Sequence, residues 1–118
     1  MPRPPVTWAH LDAWARASDV PGDALLADQH GFLAVSLAHA TRAEQAIDVL
    51  MAPDAPGPLT LDDLRAFAGR HGAVPAALVR LGARDEPRGP FPRVLVCDLR
   101  RALSDDGRQL LRLQERWG

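Results

Sequence analysis

The sequence predicts an α+β fold that is mainly helical, with about six helices and a small two-stranded sheet. Three observations point there. Helix-starting residues stand ahead of several amphipathic stretches, at Thr7, Asp23, Thr41, Thr60 and Ser104. Pro and Gly punctuate the chain between those stretches, most densely at 53–58 and 84–92. Only two segments, 32–38 and 93–98, read as strands. Two strands alone are marginal, so the sheet could extend across a dimer. The 118 residues make a single domain over 1–118, with an extended Pro-rich stretch at 1–6.

Taken in order, Thr7 caps a helix running to about Ser18, with Trp8, Leu11, Ala15 and Ser18 on one face and Trp14 beside them. Val20-Pro21-Gly22 breaks it. Asp23 caps a short helix through Ala24, Leu25 and Leu26, and Gly31 is a plausible stop. Residues 32–38 form a continuous apolar run of strand length, although Leu and Ala also suit a buried helix. Thr41-Arg42-Ala43-Glu44 is a capping box that opens a helix burying Ala43, Ala46, Ile47 and Leu50. The prolines of 53–58 end it.

Thr60 caps the next helix, where Asp62 and Asp63 complement the dipole and Leu61, Leu64, Phe67, Ala68 and His71 face inward until Gly72. Pro75 starts a short helix through Leu78 and Leu81, closed by Gly82. After the polar loop, 93–98 is the best strand signal because β-branched residues cluster in it. Ser104, Asp105 and Asp106 open a final helix, with Leu110, Leu113 and Trp117 on one side and Arg108, Arg112 and Arg116 on another. No internal repeat is recognised.

Composition excludes more chemistry than the motifs suggest. The chain has fourteen Arg and no Lys, Asn or Tyr. That removes a Schiff-base amine, a P-loop lysine, a Cys-His-Asn nucleophile, an N-glycan acceptor and a phenolic acid or base. With a single Ile, Ile47, the bias fits a GC-rich bacterial genome. Cys97 is alone, so no intramolecular disulfide or cysteine zinc cluster forms, and its apolar flanks mark a small buried hydrophobe. No apolar run reaches the roughly 18 residues of a membrane span, and Met1 to Pro5 lead into no apolar signal segment. A cytoplasmic protein without membrane contact is expected.

The charge is divided: residues 1–58 carry three Arg against seven acids (−4), and 59–118 carry eleven Arg against eight acids (+3). Self-association between opposite halves would use that division, whereas +3 is small for a nucleic-acid surface. His10 with Asp12, His30 with Asp28 and His39 with Glu44 lack ligand spacing, so neither metal nor cofactor is expected. Glu44 and Asp48 could share a cation or proton, but the arginines can answer them. Ser36 and His39 fall on opposite faces of a strand.

Arg65 and His71 loosely resemble the Arg-to-His motif of the small helical ribonucleases called HEPN domains, over seven residues only. Six helical steps set the two side chains apart in angle and Ala66 replaces a commonly polar residue, so no activity is assigned.

The expected function is a small non-enzymatic protein-interaction or regulatory module, self-associating, with Trp117, Arg100, Arg101, Arg108, Arg112 and Arg116 at its interface. The alternative is a DNA-associated regulator with a helix-turn-helix at 61–82, contacting DNA through Arg70, Arg80 and Arg84. No catalytic residue is assigned. An enzyme would require two or more of His10, His30, His39 and His71 to converge with Glu44 or Asp48.

Overall fold

The computed structural model describes residues 4–30, 32–40, 45–52, 58–83 and 94–115. Two helices, α1 (Trp8–Ala17) and α2 (Leu61–Arg70), accompany six strands: β1 (Leu25–Asp28), β2 (Leu33–Ala40), β3 (Ala46–Ala52), β4 (Leu78–Ala83), β5 (Val94–Leu103) and β6 (Gln109–Glu115). The strands close into a barrel in sequence order. Neighbours are antiparallel except β3 with β4 and β6 with β1, which run parallel.

This corrects the mainly helical expectation with its two-stranded sheet. The short helix at 24–26 is β1, the helix through 46–50 is β3, the segment after Pro75 is a turn leading into β4, and the final helix is a hairpin turn followed by β6. The barrel closes within one chain, so the sheet needs no second copy to complete it. The Thr41–Glu44 box lies outside the described residues.

The physical reason is alternation. In β3, Ile47, Val49 and Met51 enter the core, and Leu111 and Leu113 do so in β6. Within such a strand the core-facing residues recur every second position, and burying them outweighs the helix propensity of Leu, Ala, Gln and Arg. The core also takes Leu11 and Ala15 of α1 and Leu61, Leu64 and Ala68 of α2, so both helices press their apolar stripes onto the barrel interior.

Both helix starts are as the sequence indicates. Thr7 Oγ1 accepts from the His10 amide at 3.2 Å. Thr60 Oγ1 accepts from the Asp63 amide at 3.2 Å, while Asp63 Oδ2 accepts from the Thr60 amide at 2.9 Å. The helix-turn-helix at 61–82 does not form, because its second helix is replaced by β4.

The chain is an internal duplication, α-β-β-β twice over, which corrects the sequence reading of no repeat. Thr7, Leu11, Ala13, Ala15, Ala24 and Leu25 recur 53 positions later as Thr60, Leu64, Ala66, Ala68, Ala77 and Leu78. Positive φ recurs at the same spacing, at Asp19 (54°) and Gly72 (61°). So do the hydrogen bonds between halves. The Trp8 amide donates to Ala77 O at 2.8 Å and that of Leu61 to Ala24 O at 2.9 Å; the Val79 amide donates to Val6 O at 3.2 Å and that of Leu26 to Leu59 O at 3.1 Å. The register breaks at Ala34/Ser36 in β2 and at Val96/Asp98 in β5 also correspond. Contact i to j is matched by contact j to i, the signature of two-fold symmetry. Each half supplies the segment that its counterpart pairs with, so the halves are interlocked.

A basic hairpin and its cleft as the candidate functional site

The two-fold relation serves as an internal control on the polar residues, because equivalent positions share a backbone environment. Asp12 and Arg65 are equivalent and meet each other: Arg65 Nε donates to Asp12 Oδ1 at 2.9 Å. A residue beside a two-fold axis faces its own counterpart, and opposite charges there are possible only because the halves have diverged. Burial alone would raise the Asp12 carboxyl. Hydrogen bonds from Arg65 and Arg16 outweigh that and hold it below its ordinary value.

On the neighbouring strands, Asp48 of β3 stands in register with Ala38 of β2 and Arg80 of β4. Arg80 donates to Asp48 through Nε at 2.6 Å and Nη2 at 3.0 Å, and the Asp48 side chain is 8% exposed. This is a bidentate, nearly buried ion pair. The equivalent positions in the second half are Arg112 of β6, flanked by Arg100 of β5 and Ala27 of β1. There the carboxylate has become a guanidinium and its arginine partner an alanine.

Arg112 is therefore a cation in a position built for a pair. Its Nε is buried and makes no hydrogen bond among the described residues, a deficit that typically costs about 1–3 kcal/mol. Arg100, directly opposite, is a like charge and is engaged instead by Asp98 at 3.1 Å.

Arg112 lines a cleft of about 300 Å³ whose apolar wall is Leu25, Leu33, Leu103 and Leu110 and whose rim is Ser104, Asp105, Asp106 and Arg108. The rim is the β5–β6 turn. Gly107 has φ of 83°, the Ser104 amide donates to Arg108 O at 2.8 Å, and Ser104 Oγ accepts from the Arg108 amide at 2.9 Å. The Ser104 hydroxyl donates to Asp106, which holds that carboxyl below its ordinary value. Leu103 is 63% exposed, and Phe32, next to the cleft-lining Leu33, is 43% exposed. The second-half cleft has a first-half counterpart containing Leu78 and Leu95, the equivalents of Leu25 and Leu33. Its other lining residues among those described, Pro5, Gln45, Val74 and Ala76, carry no charge.

Of the interface residues expected from the sequence, the hairpin gathers Arg100, Arg108 and Arg112. Arg101 is diverted: its Nη1 donates to Ser18 O at 2.6 Å, capping the C-terminal end of α1. Arg116 and Trp117 lie outside the described residues. Of the DNA-contacting set, Arg80 is held by Asp48, Arg70 is exposed at the end of α2, and Arg84 lies outside the described residues. The apolar wall contributed by β1 and β2 went unseen in the sequence; its signal was the Leu25–Leu78 correspondence of the repeat.

Two histidines do converge. The rings of His39 and His71 are 5.7 Å apart, His71 stacks on Phe67 at 4.3 Å, and His39 Nε2 lies 3.4 Å from Gln45 Oε1. Asp48 is not with them: its carboxylate is committed to Arg80, and it is Ile47 that pairs with His39. Arg65 and His71 likewise have separate partners, Asp12 and Phe67. His10 and Cys97 border a third, smaller cleft with Trp14 and Asp98, and the Cys97 thiol donates to its own strand's Leu95 carbonyl at 3.8 Å. Among the described residues no group of three or more His, Cys, Asp or Glu could hold a metal, and no helix is long and apolar enough to cross a membrane.

These features define a class in structural terms: an internally duplicated six-stranded barrel with one cationic, partly apolar hairpin. Searches against family models, curated proteins and solved structures found no match for this chain.

Proposed function

We propose that this chain is a non-enzymatic, cytoplasmic protein-interaction module that associates with a second copy of itself through the β5–β6 hairpin. The observation that carries this reading is the meeting of Arg100, Arg108 and the exposed Leu103 on one hairpin, in a half of net charge +3 opposite a half of −4. An exposed apolar side chain beside exposed arginines is the composition of an interface centre with a steering rim. Asp19 and Asp23, exposed in the acidic half, offer the complementary charge. For the DNA-associated alternative, the helix-turn-helix at 61–82 does not form and Arg80 is tied to Asp48.

Light scattering coupled to size exclusion, at low and high salt, tests the reading. A dimer that dissociates as salt rises is expected, and Leu103→Glu with Arg108→Glu should yield a monomer. A wild-type chain that stays monomeric at low salt and high concentration refutes it.

A further inference from the structure

We propose that the cleft between β1, β2 and the β5–β6 hairpin binds an aliphatic carboxylate, with Arg112 as the anion-binding group. This goes beyond self-association and does not depend on it. Three observations converge. The cleft wall is Leu25, Leu33, Leu103 and Leu110, apolar surface suited to an alkyl chain. Arg112 joins that wall with a buried Nε that hydrogen-bonds to nothing among the described residues. The equivalent position in the first half is Asp48, which together with Arg80 shows what this backbone site holds when complete: a guanidinium and a carboxylate.

In the second half the described residues supply only the guanidinium at this position. Ala27, where the partner side chain would stand, removes bulk as well as charge. A carboxylate from outside restores the pair, because a planar guanidinium presents its donors in the fork that a carboxylate accepts. The remaining rim charges narrow the ligand further. Asp106 is occupied by Ser104 in closing the turn, and with Asp105 it places two acids at the rim. Arg108 and Arg112 against Asp105 and Asp106 leave the lining with no excess positive charge, which suits a singly charged head better than a multiply charged phosphate. The volume, about 300 Å³, is at the small end of ligand pockets and fits a short chain. Among the described residues the counterpart cleft at Leu78 and Leu95 has no arginine in its lining.

The test is titration of the intact protein, by calorimetry and amide chemical shifts, with sodium octanoate, 1-octanol and sodium acetate. Octanoate should bind, with shifts centred on Leu25, Leu103, Leu110 and Arg112. Octanol, lacking the charge, and acetate, lacking the chain, should each bind roughly tenfold or more weakly. Arg112→Gln should weaken octanoate by a similar factor, and Ala27→Asp, which gives Arg112 an internal carboxylate, should do the same. Thermal melts establish that each variant is folded, and the three-ligand comparison needs no variant at all. Absence of octanoate binding at millimolar concentration, equal binding of octanol, or undiminished binding by folded Arg112→Gln overturns the proposal. Leu103 and Arg108 line the cleft and also stand in the proposed self-association surface, so the titration is run at a protein concentration at which light scattering shows a monomer, and a failure to bind there is a separate result from a failure to dimerise.

Discussion

The Asp48–Arg80 pair and its unpaired counterpart Arg112 allow one electrostatic interaction to be measured inside a single protein. Replacing Arg80 with Leu removes two charge-assisted hydrogen bonds, of 2.6 and 3.0 Å, from a carboxylate whose side chain is only 8% exposed. Breaking a fully buried pair costs about 3–5 kcal/mol. Arg80 retains 28% exposure, which lowers the expectation for Arg80→Leu to roughly 3 kcal/mol, with Asp48→Leu close behind. The double replacement exchanges the pair for two apolar side chains in adjacent strands and should cost no more than about 1 kcal/mol, because desolvation of both charges is removed together.

The coupling between the two sites is then about 3 kcal/mol or more. Arg112→Leu, in the equivalent backbone position without a partner among the described residues, removes the unsatisfied Nε and should be neutral or stabilising by up to about 1–3 kcal/mol. Urea unfolding followed by circular dichroism reads these differences: at a slope of about 1–3 kcal/mol/M, Arg80→Leu should lower the midpoint by about 1–3 M. Additive single replacements, with coupling under about 0.5 kcal/mol, would refute the reasoning, as would an Arg112→Leu cost equal to that of Arg80→Leu.

Three further outcomes are expected. Asp12 is held below its ordinary value in the folded protein, so its ionised form stabilises the fold above the unfolded-state value of about 3.9 and that contribution is lost as pH falls through the lower folded value. Asp12→Asn should therefore lower the melting temperature at neutral pH, and its deficit against wild type should close below about pH 4; a deficit independent of pH would contradict the Arg65 and Arg16 contacts. Gly72, at φ 61° with open space where a Cβ would go, should lose about 1 kcal/mol on change to Ala from backbone strain alone. Asp19→Gly at the equivalent position should be neutral or stabilising in the same melts. Thr60→Ala removes the acceptor for the Asp63 amide and should cost about 1 kcal/mol in urea unfolding, with no loss at all counting against the capping assignment.

The elements legible in the sequence were those fixed by local chemistry. Thr7 and Thr60 start their helices because a hydroxyl satisfies an amide only three residues away. The apolar run read at 32–38 and the β-branched segment read at 93–98 fall on β2 (Leu33–Ala40) and β5 (Val94–Leu103), extended as their composition indicates. The repeat was legible too, in Thr-x-x-x-Leu-x-Ala-aromatic-Ala at Thr7 and again at Thr60. It was obscured because the matching spacing changes from 53 at the helices to 62 at β2 and β5 and 64 at β3 and β6.

What only the tertiary structure decided is the state of 46–52, 78–83 and 109–115. Their Leu, Ala, Gln and Arg are good helix formers, and the four-residue spacing of Arg108 and Arg112 imitates a helix face. They are strands because barrel closure gives each a hydrogen-bonding neighbour on both sides and a dry interior for every second side chain, neither of which is available to an isolated segment. The candidate site has the same origin. The sequence supplies its arginines, but the apolar wall comes from β1 and β2, some eighty positions earlier in the chain, and only closure of the barrel through β6 and β1 brings Leu25 and Ala27 beside Arg112.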